Sequence, residues 1–204
     1  MKKSAAVFVR LQAPTPFLNY CSRSTKNNLS MSLPTAIERH HGVMLNYRGK
    51  GLLICGEAGI GKSSLALELI HHGAILIADD VVDFSIETDQ LVAHCPESLT
   101  GLLHTRELGL LDIRRICELN SWQASSSVDL GIELTQQNQL PASLSTPYLS
   151  KEILGKPLVM LSLVVNNPAS LKNRIDSWLT MYESQANSIE NLQLWQLGKL
   201  RFSA

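Results

Sequence analysis

No apolar run in this 204-residue chain approaches the ~20 residues that cross a bilayer, so no membrane association is expected. The basic opening MKKSAAVFVR imitates a secretory signal, but its apolar stretch covers only Ala5 to Val9 before Arg10 interrupts it. A cytoplasmic location is the resulting expectation. Four cysteines, Cys21, Cys55, Cys95 and Cys117, share no metal-ligand spacing and no disulfide framework. They read as small apolar side chains, Cys55 most clearly so at the end of an apolar run. Internal repeats and low-complexity tracts are absent, which excludes solenoid and array architectures. Net charge is absent too, with 18 Lys and Arg against 18 Asp and Glu, although the balance is uneven along the chain. Residues 1–50 hold eight basic residues against the single acid Glu38, and the remainder holds ten against seventeen. No nucleic-acid-binding motif accompanies the basic leader, so no nucleic-acid partner is expected. Residues 1–34 read as a solvated, poorly ordered arm, and residues 35–204 as one domain with a sizeable core.

What the chain does contain is concentrated in residues 51–80, GLLICGEAGIGKSSLALELIHHGAILIADD. Gly56, Glu57, Ala58, Gly59, Ile60, Gly61, Lys62 and Ser63 follow the order G-x-x-x-x-G-K-S/T. Its glycines let successive backbone N–H groups curl around phosphate oxygens without side-chain clashes. Lys62 would reach the β and γ phosphates, and Ser63 would offer its hydroxyl to Mg²⁺. The helix opening there, with Ser64 in its first turn, aims the positive end of its dipole at the same anion. The context agrees with the motif. Leu52, Leu53 and Ile54 form a buried-strand run, while Leu65, Ala66, Leu69 and Ile70 repeat at helical spacing until Gly73 stops the helix. A second apolar run, Ile75 to Ala78, delivers Asp79 and Asp80 to the end of a strand.

The block from Glu38 to Phe84 resembles the catalytic domain of HPr kinase/phosphorylase, which phosphorylates a serine of the phosphocarrier HPr. The likeness rests on His41-Gly42, the strand and loop GLLICGEAGIGKS, the helix LALELI and the strand LIADD, in that order and without gaps. The resemblance implies an α/β fold with a mixed sheet around the phosphate loop, of the HPr kinase and phosphoenolpyruvate carboxykinase type. It implies ATP and Mg²⁺ as cofactors, Asp79 as the catalytic base, His41 as its hydrogen-bond partner, and Asp80 with Ser63 at the metal. A second patch, Leu102 to Ile113 (LLHTRELGLLDI), is similar to the family's signature segment. Its usual glutamate, arginine and glycine are here His104, Arg106 and Glu107. Histidine is a poor substitute for a hard oxygen ligand of magnesium. Replacing a glycine by Glu107 adds a side chain where the backbone was free. Weak metal binding and little reverse, phosphorylase activity are expected, with Glu107 an alternative source of the missing carboxylate. The resemblance implies that these residues correspond to the family's catalytic half alone.

Around this centre, Val43 to Leu53 reads as two short strands joined at a Tyr47-Arg48-Gly49-Lys50-Gly51 turn. His71 and His72 fall at a helix end facing water, and Asp83, Glu87 and Asp89 suggest a polar hairpin. Val128 to Leu134 and Leu158 to Val165 read as strands, separated by an exposed loop over 136–150. Lys151 and Lys156 read as a solvated face rather than a phosphate-binding one. The family's glycine- and arginine-bearing turn is replaced by Asn166-Asn167-Pro168. Two helical patterns close the chain, Leu171, Ile175, Trp178, Leu179 and Tyr182, then Ile189, Leu192, Trp195 and Leu200. Trp195 and Leu200 are candidate anchors for a partner, and the resemblance implies a homo-oligomer, a hexamer in known members.

Three functions fit these residues. One is an ATP-dependent kinase acting on a serine or threonine of a small HPr-like protein. The second keeps the same machinery with a small-metabolite acceptor, since the motifs do not carry specificity. The third is a nucleotide-binding regulator without catalysis, favoured by His104 and Glu107 and opposed by Asp79 and His41.

Overall fold

The computed structural model describes residues 36–117, 120–137 and 144–184. The leader expected to be poorly ordered, Cys21 and the second C-terminal pattern with Trp195 and Leu200 lie outside these residues. The core begins with a hairpin, β1 (Glu38–Tyr47) and β2 (Lys50–Gly56). Its loop is tighter than the five-residue turn expected: only Arg48 and Gly49 connect the strands, both at positive φ of 54° and 76°. Two such residues give the twist that antiparallel strands need. The phosphate loop follows, then α1 (Lys62–Ile70), which closes on Gly73 with φ 89° and an N–H bond to the Ile70 carbonyl at 3.0 Å.

β3 (Ile75–Glu87) returns beside β1, so that β1 is sandwiched antiparallel between β2 and β3. This strand does not end at the aspartates as expected but runs seven residues beyond Asp80. Asp83 therefore lies inside a strand, held by Arg39 at 2.6 Å, rather than in a hairpin turn. The turn itself is Thr88-Asp89, leading to β4 (Gln90–His94). The signature-like segment folds as a separate two-stranded hairpin, β5 (Leu102–Thr105) with β6 (Gly109–Asp112), followed by the one-turn helix α2 (Ile113–Ile116). Next come β7 (Ser125–Ser127), β8 (Leu130–Thr135), β9 (Tyr148–Ile153), β10 (Lys156–Val164) and α3 (Leu171–Ser184). β9 occupies the end of the stretch expected to be loop. It is polar and exposed along most of its length because it is an edge strand, paired on one side only.

The large sheet has the order β7-β4-β3-β1-β2-β8-β10-β9. β2, β8 and β10 are parallel neighbours, whereas the other pairings are antiparallel. Both faces are covered, which is why LLIC and ILIA read as unbroken apolar runs rather than alternating ones. Val43, Leu45, Leu52 and Ile54 face α1 and α3, where Leu65, Leu69, Ile175, Trp178 and Leu179 meet them. Met44, Leu53, Ile77 and Phe84 face the other way, against Ile153, Leu158 and Met160. On that side the sheet curls over its own core. Lys156 of β10 reaches Asp89 at 2.6 Å, and the Leu154 N–H donates to Glu38 at 2.8 Å, although β10 and β1 are separated by two strands. Helix α3 is fastened to the β1–β2 turn by Tyr47, whose hydroxyl donates to Asp176 at 2.8 Å. Burial and the adjacent carboxylate push that phenol up to about 12. Tyr182, expected in the apolar stripe, is 42% exposed one turn past the core.

Candidate active site

The loop takes its path from its surroundings as much as from its glycines. A β-carbon on Gly56, where φ is 137°, would stand 2.7 Å from the Leu134 carbonyl, so only glycine fits between β2 and β8. Ile60 anchors the far side by packing into the core beneath α1. Lys62 folds back over the loop, its Nζ donating to the Gly56 and Glu57 carbonyls at 2.8 and 3.0 Å. Arg106, arriving from the β5–β6 hairpin, lays its guanidinium against Gly59.

Strand register brings the carboxylates to this loop. Val43 pairs with Ile54 on one side and Asp79 on the other, so Asp79 stands level with the residue two before Gly56. Asp79 shares the face of Val43 that looks toward α1. There it is 5% exposed and accepts two hydrogen bonds, from Ser63 Oγ at 2.9 Å and from the His104 backbone N–H at 2.7 Å. Burial raises its carboxyl above the ordinary value, against the pull of those two donors.

In an unbroken strand Asp80 would point to the opposite face. Instead it adopts φ 67°, a left-handed conformation that is strained for an aspartate, and lines the same cleft as Asp79. His41 meets it there, with Nδ1 3.0 Å from the Asp80 carbonyl oxygen and 3.3 Å from Oδ1. The expected partnership of His41 with Asp79 is therefore not formed. Asp79 is turned toward the helix, and the residue that its neighbour's left-handed φ presents to His41 is Asp80. Likewise, the carboxylate in contact with Ser63 is Asp79, not Asp80.

Together these groups line a cleft of about 810 Å³. Gly56, Ala58, Gly59, Gly61, Lys62, Ser63 and Ser64 form one wall, and His104 to Leu108 form the other. Asp79, Asp80, His41 and Leu67 complete the lining. Of the loop residues expected to hold phosphate, Glu57 and Ile60 do not contribute to the lining. Glu107 lines the cleft with an ordinary backbone, and the left-handed position of that turn falls on Gly109 at φ 73°. The unusual backbone angles open to a glycine at position 107 are thus not used here. Among the described residues, no three His, Cys, Asp or Glu side chains converge on one point as a preformed metal cage. A hydroxyl and two carboxylates are nonetheless the oxygen donors that Mg²⁺ prefers, with its remaining positions left to waters and phosphates.

Two features escaped sequence reasoning. His104 acts on Asp79 through its main chain, for which residue type carries no signal. Lys151, read as solvated, lies half-buried with Nζ 3.6 Å from Cys55 Sγ behind the loop. Cys55 itself is buried and its thiol pushed up by that burial, as expected of an inert side chain.

A glycine-rich loop between a strand and a helix, facing a buried carboxylate on a mixed sheet, defines a phosphate-loop α/β domain. The chain belongs to the HPr Serine kinase C-terminal domain family, whose sequence model matches residues 34–196. The HPr kinase/phosphorylase of Cupriavidus necator is 41% identical over 131 residues, which are 61% of this chain and 39% of that protein. That of Bordetella avium is 41% identical over 128 residues, 61% of this chain and 42% of that protein. The solved Hpr(Ser) kinase/phosphatase from Coxiella burnetii matches with a TM-score of 0.68 at 27% identity, over 78% of this chain and 98% of that one. The chain thus spans about two fifths of the length of these curated relatives. Among the described residues, no helix is long and apolar enough to cross a membrane.

Proposed function

We propose that this domain transfers the γ-phosphoryl group of ATP to a serine or threonine hydroxyl of a small protein such as HPr. The observation that carries the reading is the meeting, in one cleft, of Lys62 and the loop with two carboxylates in different environments. The loop amides and Lys62 bind the phosphates, and Ser63 with Asp79 holds Mg²⁺, which when bound neutralises charge on the transferred group. Asp80, oriented by His41, accepts the proton of the attacking hydroxyl as its oxygen bonds to Pγ and the bond to ADP breaks. This reverses the roles first expected of the two aspartates. The contact between Asp79 and Ser63 favours the metal side for Asp79, because a magnesium-binding hydroxyl and its carboxylate act as neighbours. The exposure of Asp80 and its contact with His41 favour the base role, because a base must meet the incoming substrate.

His104 brings no carboxylate to the cleft, which supports a kinase with a weak reverse reaction. Family membership supports a cytoplasmic homo-oligomer, with a hexamer the assembly to look for. The test is the intact mass of purified HPr after incubation with the protein, Mg²⁺ and ATP. A single phosphate adduct that disappears with Lys62→Ala and Asp80→Asn supports the kinase. If HPr stays unmodified while ATP binds, the protein-kinase reading with this acceptor is wrong.

A further inference from the structure

Behind the phosphate loop, on the face of the sheet turned away from α1, three charged side chains gather around Cys55: Lys151, Glu133 and Lys62. Lys151 belongs to the edge strand β9, yet the curl of the sheet carries its ammonium past β10 and β8 to within 3.6 Å of the Cys55 sulfur. Glu133 pairs with Cys55 in the parallel register of β8 and β2, one step before Leu134 meets Gly56. Its side chain takes the same face as Cys55. Ile132 and Leu134 on either side turn to the α1 core, while a β-carbon on Gly131 would meet Met160 on the opposite face. Lys62 approaches from the loop, its Nζ held on the Gly56 and Glu57 carbonyls.

Glu133 is half-buried, and among the described residues none donates a hydrogen bond to it. Burial holds its carboxyl above the ordinary range, opposed by Lys151 and then by Lys62. Lys151 also faces Glu38, but that carboxylate is already bound by the Leu154 N–H and by His40. Glu133 therefore has two ammonium groups as counter-charges, one fixed to the sheet and one that phosphate binding calls away. Two apolar side chains would hold β9 over β2 at least as well as these partly buried charges, so the charges answer to the loop rather than to stability.

We propose that Lys151 is a positioning residue for ATP: it neutralises Glu133 from behind the loop, so that the Lys62 ammonium is free to move from the loop carbonyls to the β and γ phosphates. The inference rests on the reading that this loop binds ATP through Lys62. Without Lys151, the ionised Glu133 keeps Lys62 as its remaining counter-charge, and the phosphates must compete with it.

The experiment measures affinity for ATP with Mg²⁺ by calorimetry on the full chain, comparing wild type, Lys151→Arg, Lys151→Met, Glu133→Gln and the double variant Lys151→Met with Glu133→Gln. Thermal unfolding of each protein checks the fold. Lys151→Met is expected to weaken ATP binding about tenfold, and Lys151→Arg to keep most of the affinity. The double variant is expected to return to within about twofold of Glu133→Gln alone. Neutralising Glu133 cannot refill a gap left by a merely structural lysine, so this rescue separates the two roles. Unchanged affinity in Lys151→Met, or a loss that Glu133→Gln does not repair, overturns the proposal while leaving the loop as the ATP site. Should Lys151→Met fail to fold, Glu133→Gln alone decides: it is expected to bind ATP at least as tightly as the wild type, and weaker binding overturns the proposal. A wild type that binds no ATP removes the loop reading and this proposal together.

Discussion

The two walls of the cleft are built on opposite principles. The loop wall works through backbone: its glycines and main-chain amides make the concavity, and only Lys62 and Ser63 add side-chain chemistry. The hairpin wall works through side chains, His104, Arg106, Glu107 and Leu108, with a single backbone N–H reaching across to Asp79. A wall of amides has little freedom to vary, because a β-carbon on Gly56 collides with the Leu134 carbonyl of β8 and Gly59 and Gly61 hold positive φ. A wall of exposed side chains can change without disturbing the core, since the hairpin is held down by its inward residues Leu103, Thr105 and Leu111 and by the His104 main chain. The difference teaches where each property of the protein resides. Cleft shape belongs to the loop, and side-chain variety belongs to the hairpin.

The largest effect expected from breaking the loop wall is that of Lys62→Ala, which should lower phosphoryl transfer on the order of 10³-fold in a single-turnover assay. Next come the aspartates between the walls. Asp80→Asn should lower kcat on the order of 10²- to 10⁴-fold with ATP affinity retained, whereas Asp79→Asn should first weaken magnesium-dependent ATP binding. Equal magnesium dependence in the two variants would contradict the separate roles.

A paired stability measurement sharpens the contrast further. Gly56→Ala forces a β-carbon toward the Leu134 carbonyl and should destabilise by about 1–3 kcal/mol in urea unfolding. Glu107→Ala, on the exposed turn opposite, should stay within about 0.5 kcal/mol of the wild type. The smallest effect is a pH dependence. Burial holds the Asp79 pKa above its unfolded value, so its contribution is fully present below the ordinary aspartate range near 3.8 and is lost as pH rises through the raised value. The wild type minus Asp79→Asn difference in stability should therefore fall with rising pH over that window. Arg39–Asp83 and similar pairs slope the other way and cancel in the difference.

Much of the loop half of the molecule was legible in the residues. The turn of β1–β2, the strand into the loop, the helix from Lys62 to Ile70 and its stop at Gly73 are all local, set by glycine positions and by apolar spacing within one or two turns of chain. The loop residues that line the cleft followed for the same reason, except that Ile60 turned to the core and Glu57 to solvent. The edge strand β9 was hidden because its polar residues pair on one side only, and β3 ran past its apolar run because β1 and β4 continue to pair with it.

Sequence alone therefore determined that this protein has a phosphate loop and a pair of carboxylates to serve it, because a contiguous motif carries its own backbone geometry. Tertiary structure alone decided which carboxylate meets Ser63 and which meets His41. That choice depends on the register of β3 against β1 and on one left-handed φ at Asp80, neither of which is written in the order Asp-Asp. It also decided that His104 would hold Asp79 by its main chain, because a backbone N–H belongs to every residue type alike and only folding selects the one that is used.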